Sequence, residues 1–349
     1  PMNTLGGKGS AIEEAAQRFC NSGEVHSRKG FRSRLDAAKF HYGLEPDESL
    51  YVPETYTYVQ RVQKETYAPP TPYHQVKDSA PRSERPVKMG EIEHIMVIPD
   101  RHRDPRYPHR LECDTWIAQE GSARRPKYVV DLGDTLTMDS CSRHDKKDTK
   151  RGQLRPTIKQ DLDHHVELHQ AFERGRAADW KPIKIKCRGN HEERLWDFEN
   201  QNPEAFGSHT HTYSETLLQF GWKEYPYKQI VYIGGVGFVH APVNGMGKQM
   251  GGKTSSHRAA ALLRASLVHG HTHKRGMYDD AKLDPSGPVS VMECGCALPW
   301  GEVETYAEGS PIGWWWGIVF LKVCDGAVID ADWVSMATLK ERYGQKLAA

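Results

Sequence analysis

The sequence predicts an α/β layer protein with an N-terminal helical appendage, and three observations point there. Apolar strand-like runs alternate with helical stretches from Ile92 onward. Five of these runs stop at an Asp, His or Asn, as happens where the loops of an α/β sheet gather functional groups along one edge. A Pro-rich stretch sets this region apart from a basic, helix-patterned beginning.

The 349 residues suffice for one large domain plus an appendage. Lys and Arg total 47 against 46 Asp and Glu. That balance excludes a uniformly basic nucleic-acid coat and an acidic disordered chain. No apolar run approaches the ~18–20 residues of a membrane span. Met2 reads as the natural start, with no secretory signal behind it. Seven Cys form no CxxC pair, so neither a disulfide framework nor a zinc knuckle is expected, and a cytoplasmic location is. Cys294 and Cys296, two apart in a strand-like run, are expected on opposite faces.

Residues 1–67 read as a helical module. Ser10 with Glu13 forms a capping-box pattern ahead of Ile12, Ala15, Ala16 and Phe19 on one face. Asn21-Ser22-Gly23 turns the chain, and Lys29 to His41 carries Phe31, Leu35 and Phe40 at helical spacing. Helix, turn, helix suggests a helix-turn-helix. Arg18, Arg28, Lys29, Arg32, Arg34 and Lys39 stand there against only Glu24 and Asp36, so DNA or RNA contact and a merely solvated basic face are both open. Residues 68–90 form an extended linker through Pro69, Pro70, Pro72, Pro81 and Pro86.

The catalytic-looking domain, 91–349, follows. Ile92–Ile98 ends in Pro99-Asp100-Arg101-His102. Tyr128–Val130 leads to Asp131-Leu132-Gly133-Asp134, and Ile183–Cys187 to Arg188-Gly189-Asn190-His191-Glu192. Ile230–His240 reads as a hairpin through Gly234-Gly235, and Leu267-Val268 runs into His269-Gly270-His271-Thr272-His273. Helices are expected over 158–177 and 254–265. The end returns to strands at 289–292, 317–323 and 327–334, the last pair joined by an Asp325-Gly326 turn.

These strand ends collect Asp100, His102, Asp134, Asn190, His191, His240, His271 and His273. Carboxylate, imidazole and amide oxygen together suit Mn, Fe, Zn or Ni rather than a thiolate site. Leaving out His191, which directly follows Asn190 and can lean over the site without being a ligand, seven candidate ligands exceed one tetrahedral ion and suit two if one carboxylate bridges.

The motif order PDRH, GD, GNHE, VH and GHTH over 100–273 resembles the calcineurin-like metallophosphoesterases. The resemblance implies a four-layer αββα sandwich and two divalent metal ions, manganese foremost, with Fe, Zn and Ni as alternatives. It places one metal on Asp100, His102, Asp134 and His273. The second falls on Asp134, Asn190, His240 and His271, with Asp134 bridging. It implies hydroxide attack on phosphorus, with His191 stabilising or protonating the leaving group. Gly133, Gly189 and Gly270 permit the turns that aim these side chains.

Some features depart from family relatives. The protein Ser/Thr phosphatase branch carries GDxxDRG, whereas Thr137 stands here in the Asp position with no Arg-Gly after it. Ala241 replaces the Gly that often follows the isolated His. Both argue against a protein phosphatase, and Glu192 decides nothing between branches.

On the substrate side, Arg101, Arg103, Arg106 and Arg110 follow the first motif. Arg143, His144, Lys146, Lys147, Lys150 and Arg151 follow the second. Cations there suit a phosphate, and Arg143, His144 and Arg101 are taken as substrate-binding candidates. Ser142–Lys146 resembles phage-type members of the family. His165 and His169, i and i+4 on a helix beside Asp161, Asp163 and Glu167, are expected on a solvated face, a zinc pair being the alternative. His209 and His211 are expected in a surface loop, and His269 in the core. Trp314-Trp315-Trp316 is expected to begin a strand, as core or sheet edge, with base stacking the alternative.

The sequence thus leads to a metal-dependent phosphoesterase cleaving phosphodiester bonds, with nucleic acid as substrate. The alternatives are a phosphodiesterase or phosphatase of a small nucleotide such as a cyclic nucleotide, and a non-catalytic, metal-stabilised binding protein.

Overall fold

The computed structural model describes residues 90–143, 149–252, 254–281, 288–309 and 313–344. The chain divides after Pro86 into two units, and the description concerns the second, Val87–Ala349. The helix-turn-helix and linker expected over 1–90 lie outside the described residues, apart from Gly90.

Eleven strands make two sheets among the described residues. The first has the order β11-β10-β1-β2-β3-β4. Its members are β1 (Glu93–Ile98), β2 (Tyr128–Asp131), β3 (Ile183–Cys187), β4 (Trp222–Tyr225), β10 (Gly317–Cys324) and β11 (Ala327–Ser335). β1 to β4 run parallel, and β10 and β11 are antiparallel additions. The second sheet has the order β5-β6-β7-β9-β8. It comprises β5 (Val231–Ile233), β6 (Val236–Val239), β7 (Leu267–His269), β8 (Arg275–Asp280) and β9 (Val289–Cys294). The main helices are α1 (Glu112–Arg124), α2 (Ile158–Gly175), α3 (Asn190–Gln201), α4 (Ser208–Gln219), α5 (Ser255–Leu263) and α6 (Met336–Tyr343).

Strand periodicity assigns the layers. Ile95 and Val97 of β1 join Val130, Ile185, Val319, Phe238, Val268 and Met292 in a core between the two sheets. Met96 and Ile98, one residue out of phase, face Ile117, Leu168, Phe172 and Leu339 of the helices. On the other sheet, Leu267, Val289 and Val291 pack against Ala259 and Ala260 of α5. The order is helix, sheet, sheet, helix: the αββα sandwich expected. Strands buried on both faces must be apolar throughout, which is why they stood out as continuous runs.

The sheets also meet at two hairpin turns. Gly326 N, after β10, donates to Gly234 O, between β5 and β6, at 2.7 Å. A Cβ on Gly235 (φ +79°) would stand 2.6 Å from Gly326 N, so only glycine permits this approach.

Local differences from the sequence reading have physical causes. β10 starts at Gly317, and Trp314 and Trp316 make single bridges to Lys274 and Cys296 instead. His209 and His211 lie in α4, not in a loop. That helix starts because the buried Glu199 carboxylate of α3 accepts from the amides of Gly207, His209 and Thr210. Such a cap comes from another helix and has no local sequence signature. His165 and His169 are buried rather than solvated. Tyr213 of α4 stacks on His165 with centroids 4.3 Å apart, and Phe220 and Trp222 pack on His169. His269 is buried as expected. The six described cysteines are free and buried, Cys294 and Cys296 alike. No helix among the described residues is long and apolar enough to cross a membrane.

Candidate metal centre

The carboxyl ends of β1, β2, β3, β6 and β7 open onto one edge, and every motif residue follows one of them. Three overlapping groups form there: Asp100, His102 and His273; His102, Asp134 and His191; and Asp134, His240 and His271. Within each group the ligating atoms lie within 4.8 Å of one another. Nε2 of His102 stands 3.0 Å from Nε2 of His273, which is itself 3.2 Å from Asp100 Oδ1. Asp134 Oδ2 lies 3.3 Å from His240 Nε2 and 3.8 Å from His191 Nε2. Asn190 joins through Oδ1, 2.9 Å from His240 Nε2 and accepting from Gln249 Nε2 at 2.9 Å.

Hydrogen bonds hold these atoms together on a strained backbone. His102, Asp134, His271 and His273 have φ of +44°, +47°, +67° and +56°, a region L-residues avoid. Such strain persists only where the surroundings enforce it, and it clusters at functional sites. Arg101 N and His102 N donate to Asp134 O at 3.0 and 2.9 Å, tying the first two motif loops. The carboxylate of Asp100 accepts from His271 N at 2.9 and 3.0 Å. A Cβ on Gly270 would stand 2.1 Å from Asp100 Oδ2, so this position must lack one.

Glu192 is the clamp that sequence reasoning missed. Fully buried, it accepts from the amides of Asp134, Thr135, Leu136 and Gly189 at 3.0, 2.6, 3.3 and 2.9 Å. The buried Lys186 ammonium sits 3.0 Å from its Oε1. The helical start of α3, with an acid at its third position, was the available signal.

The electrostatics suit cations. Burial pushes the Asp134 carboxyl up, but the imidazoles of His240 and His191 outweigh it and hold the group well below the usual carboxylate range. Burial pulls His240 down, yet Asp134 pushes it up to about 9. Burial, with His191 and His273 nearby, holds His102 well below the usual imidazole range. Burial and His240 hold His271 at about 4. His102 and His271 therefore stay neutral at neutral pH, the form in which imidazole ligates. Buried ring nitrogens crowd around two carboxylates, and His102 Nδ1 has no hydrogen-bond partner. A donor set of this kind fits divalent cations.

His191 hangs over this cluster. Its Nδ1 bonds Thr137 O at 2.7 Å, and Arg194 Nη2 lies 3.2 Å from its Nε2. Arg194 also donates to Thr137 O at 3.0 Å. Burial lowers the His191 pKa against the pull of Asp134. Arg194 stands one helical turn past His191, a spacing visible in sequence but not singled out there.

The cations of the first motif do not face the site as expected. Arg101 is fully buried and pairs with Asp114 at 2.9 Å and with Asp131. Arg103 is buried against Asp114, 2.5 Å away. Asp131 in turn accepts from Gly133 N at 2.8 Å. Arg101 thus supports the loops from beneath and has no surface to offer a substrate. Arg110 is taken up by Glu302 and Glu304, and Arg106 by Asp104 and Asp139. Arg143 is exposed, 3.2 Å from Asp197, and His144 lies outside the described residues.

Neither a protein-family model nor a curated protein matches the sequence. Among the solved structures to which the chain is similar are three described as phosphoesterases or a phosphatase. A conserved uncharacterized protein from Streptococcus pneumoniae, described as a predicted phosphoesterase, is 11% identical at a TM-score of 0.31, over 71% of this chain and 92% of its own. The phosphoesterase Yfce from E. coli is 16% identical at 0.30, over 68% and 98%. A dimetal phosphatase from Danio rerio is 10% identical at 0.34, over 70% and 99%. The reading of the site rests on the chain's own residues.

Proposed function

We propose that the chain is a metal-dependent phosphoesterase that hydrolyses phosphodiester bonds, with nucleic acid as its substrate. The observation that carries this reading is the sharing of Asp134 between two groups of imidazole donors at the strand ends, buried except for the half-buried His271. Asp100, His102, Asp134 and His273 would hold one ion, and Asp134, Asn190, His240 and His271 a second. Divalent cations held there would supply hydroxide at neutral pH and would neutralise charge on the phosphoryl oxygens.

The chain's own groups supply the rest. Asp134 Oδ1 is already taken by His191 N at 2.8 Å, which leaves Oδ2 to face the donors. Thr137 O fixes His191 through Nδ1 and so turns Nε2 to the centre. With Nδ1–H given to Thr137 O, that nitrogen carries a proton only in the imidazolium form, in which it is placed to stabilise or protonate the departing ester oxygen. The Arg194 guanidinium beside it favours anionic groups at the same spot. The basic segment 18–39 supports nucleic acid as substrate. Six free buried cysteines suit a reducing, cytoplasmic setting.

The test is Mn2+-dependent hydrolysis of bis-p-nitrophenyl phosphate and of single-stranded DNA, with Asp134→Ala as control. Cleavage of both, lost in the variant, supports the reading. Absence of both with metal bound refutes it. Turnover of a cyclic nucleotide with DNA untouched transfers the site to small nucleotides.

A further inference from the structure

Trp314, Trp315 and Trp316 lie beside the metal-side loop, and backbone bonds fix them there. Trp315 N donates to His273 O at 2.9 Å, Cys296 N to Trp315 O at 2.8 Å and Gly317 N to Cys296 O at 2.8 Å. Two of the indoles have structural partners. Trp315 packs against the inter-sheet core and Trp333, with Arg275 over its face. Trp316 packs on the helix-side core and donates its Nε1 to Glu302 O at 2.6 Å. Trp314 belongs to neither core. It stands against His273, ring centroids 4.2 Å apart and planes nearly perpendicular at 82°. Tyr306 adjoins it at 6.1 Å and is 60% exposed.

We propose that Trp314 and Tyr306 form a stacking shelf for the nucleobase next to the scissile phosphate. This rests on the phosphodiesterase reading and names what its substrate carries beyond the phosphate. Trp314 stands beside a metal ligand and Tyr306 beside Trp314, their planes inclined at 58°; neither belongs to a core, and each offers a π-face to a ligand. A nucleotide whose phosphate sits among His102, Asp134 and His273 carries its base about one sugar away, the scale on which Trp314 adjoins His273. Stacking is indifferent to base identity, so the shelf accepts all four bases. A phosphoserine or phosphothreonine substrate has no ring at that distance, and the shelf would give it nothing.

The test uses the full chain loaded with Mn2+ and two esters with the same leaving group: thymidine 5′-(p-nitrophenyl phosphate) and methyl p-nitrophenyl phosphate. The wild type is expected to favour the nucleoside ester in kcat/KM. Trp314→Ala should shrink that ratio about 5- to 150-fold, mainly through KM. Trp314→Phe should retain most of the ratio, and Tyr306→Ala should lose a smaller part. Taking the ratio removes any common loss from disturbing His273. Binding is measured separately, by calorimetry with thymidine 5′-phosphate and inorganic phosphate. The nucleotide should bind more tightly than phosphate, and Trp314→Ala should erase the difference. An unchanged ratio together with unchanged nucleotide preference overturns the shelf. Failure of both esters to react, with the calorimetric preference intact, overturns the phosphodiesterase reading and leaves the shelf standing.

Discussion

Glu192→Gln removes one negative charge and turns one acceptor into a donor at a position with no access to water. Oε1 of the native carboxylate serves Thr135 N, Leu136 N and Lys186 Nζ, and Oε2 serves Asp134 N and Gly189 N. The less damaging orientation keeps oxygen on the Oε1 side and sets an amide NH2 against the N–H groups of Asp134 and Gly189. Each lost charge-assisted bond costs roughly 1.5–3 kcal/mol. Lys186 keeps Asp131, at 3.4 Å, as its remaining carboxylate. The two bonds lost at Oε2 come to about 3–6 kcal/mol, and at Oε1 the pair with Lys186, whose full loss costs about 3–5 kcal/mol, is weakened as well, so a loss of at least about 3 kcal/mol is expected. The damage falls on the loop that holds Asp134 at its left-handed φ, so metal affinity should drop about 10- to 100-fold. Urea unfolding of the metal-free protein and calorimetric Mn2+ titration measure the two effects. A stability loss under about 1 kcal/mol with Mn2+ affinity unchanged would refute the clamp.

Three further outcomes follow from the same geometry. Gly270→Ala drives a methyl into Asp100 Oδ2, 2.1 Å from the ideal Cβ position, and should weaken Mn2+ binding at least about 10-fold in the same titration. Arg101→Met strips a buried cation from Asp114 and Asp131 and should cost about 3–5 kcal/mol in urea unfolding; a raised KM with unchanged stability would instead mark Arg101 as a substrate contact. His165 and His169 are held well below the usual imidazole range, by burial first and then by nearby cations including Lys186 and Arg101. Their contribution is complete above the unfolded value of about 6.5 and is lost as pH falls below it, at about 1.4 kcal/mol per pH unit for each. His169→Phe should therefore flatten the stability slope between about pH 6 and 5 by one such increment. Asp161, pushed up to about 7 by burial, acts with the opposite sign, favouring the fold at low pH and losing that contribution as pH rises. It is present in both proteins and largely cancels in their difference. Equal slopes in wild type and variant would show that His169 protonates in the folded state as easily as in the unfolded one.

The strand ends were legible because the chemistry is written locally: an apolar run, a tight turn, then Asp, Asn or His. Asp100, Asp134, Asn190, His240 and His271 could be gathered by that rule without knowing which sheet each strand joins. Arg101 and Arg103 were misread because a cation beside a motif looks the same whether it meets a phosphate or a buried Asp. Their partner Asp114 lies on α1, and only the packing of that helix under the loop brings it in. The burial of His165 and His169 likewise depends on α4, whose own start depends on Glu199 of α3. Contacts between elements decide such positions, and local pattern is silent on them.

The paired turns at Gly234-Gly235 and Asp325-Gly326 give the sandwich a second fastening besides its metal edge. One sheet supplies Asp100, Asp134 and Asn190, and the other His240, His271 and His273. The spacing of the donors is therefore a gap between two plates, and the plates touch again where Gly326 N meets Gly234 O. A wedge driven between those turns acts on the donors as pressure on the handles of a pair of tongs acts on its jaws. Glycine at 235 is then a setting of the jaw width, made where no substrate is handled.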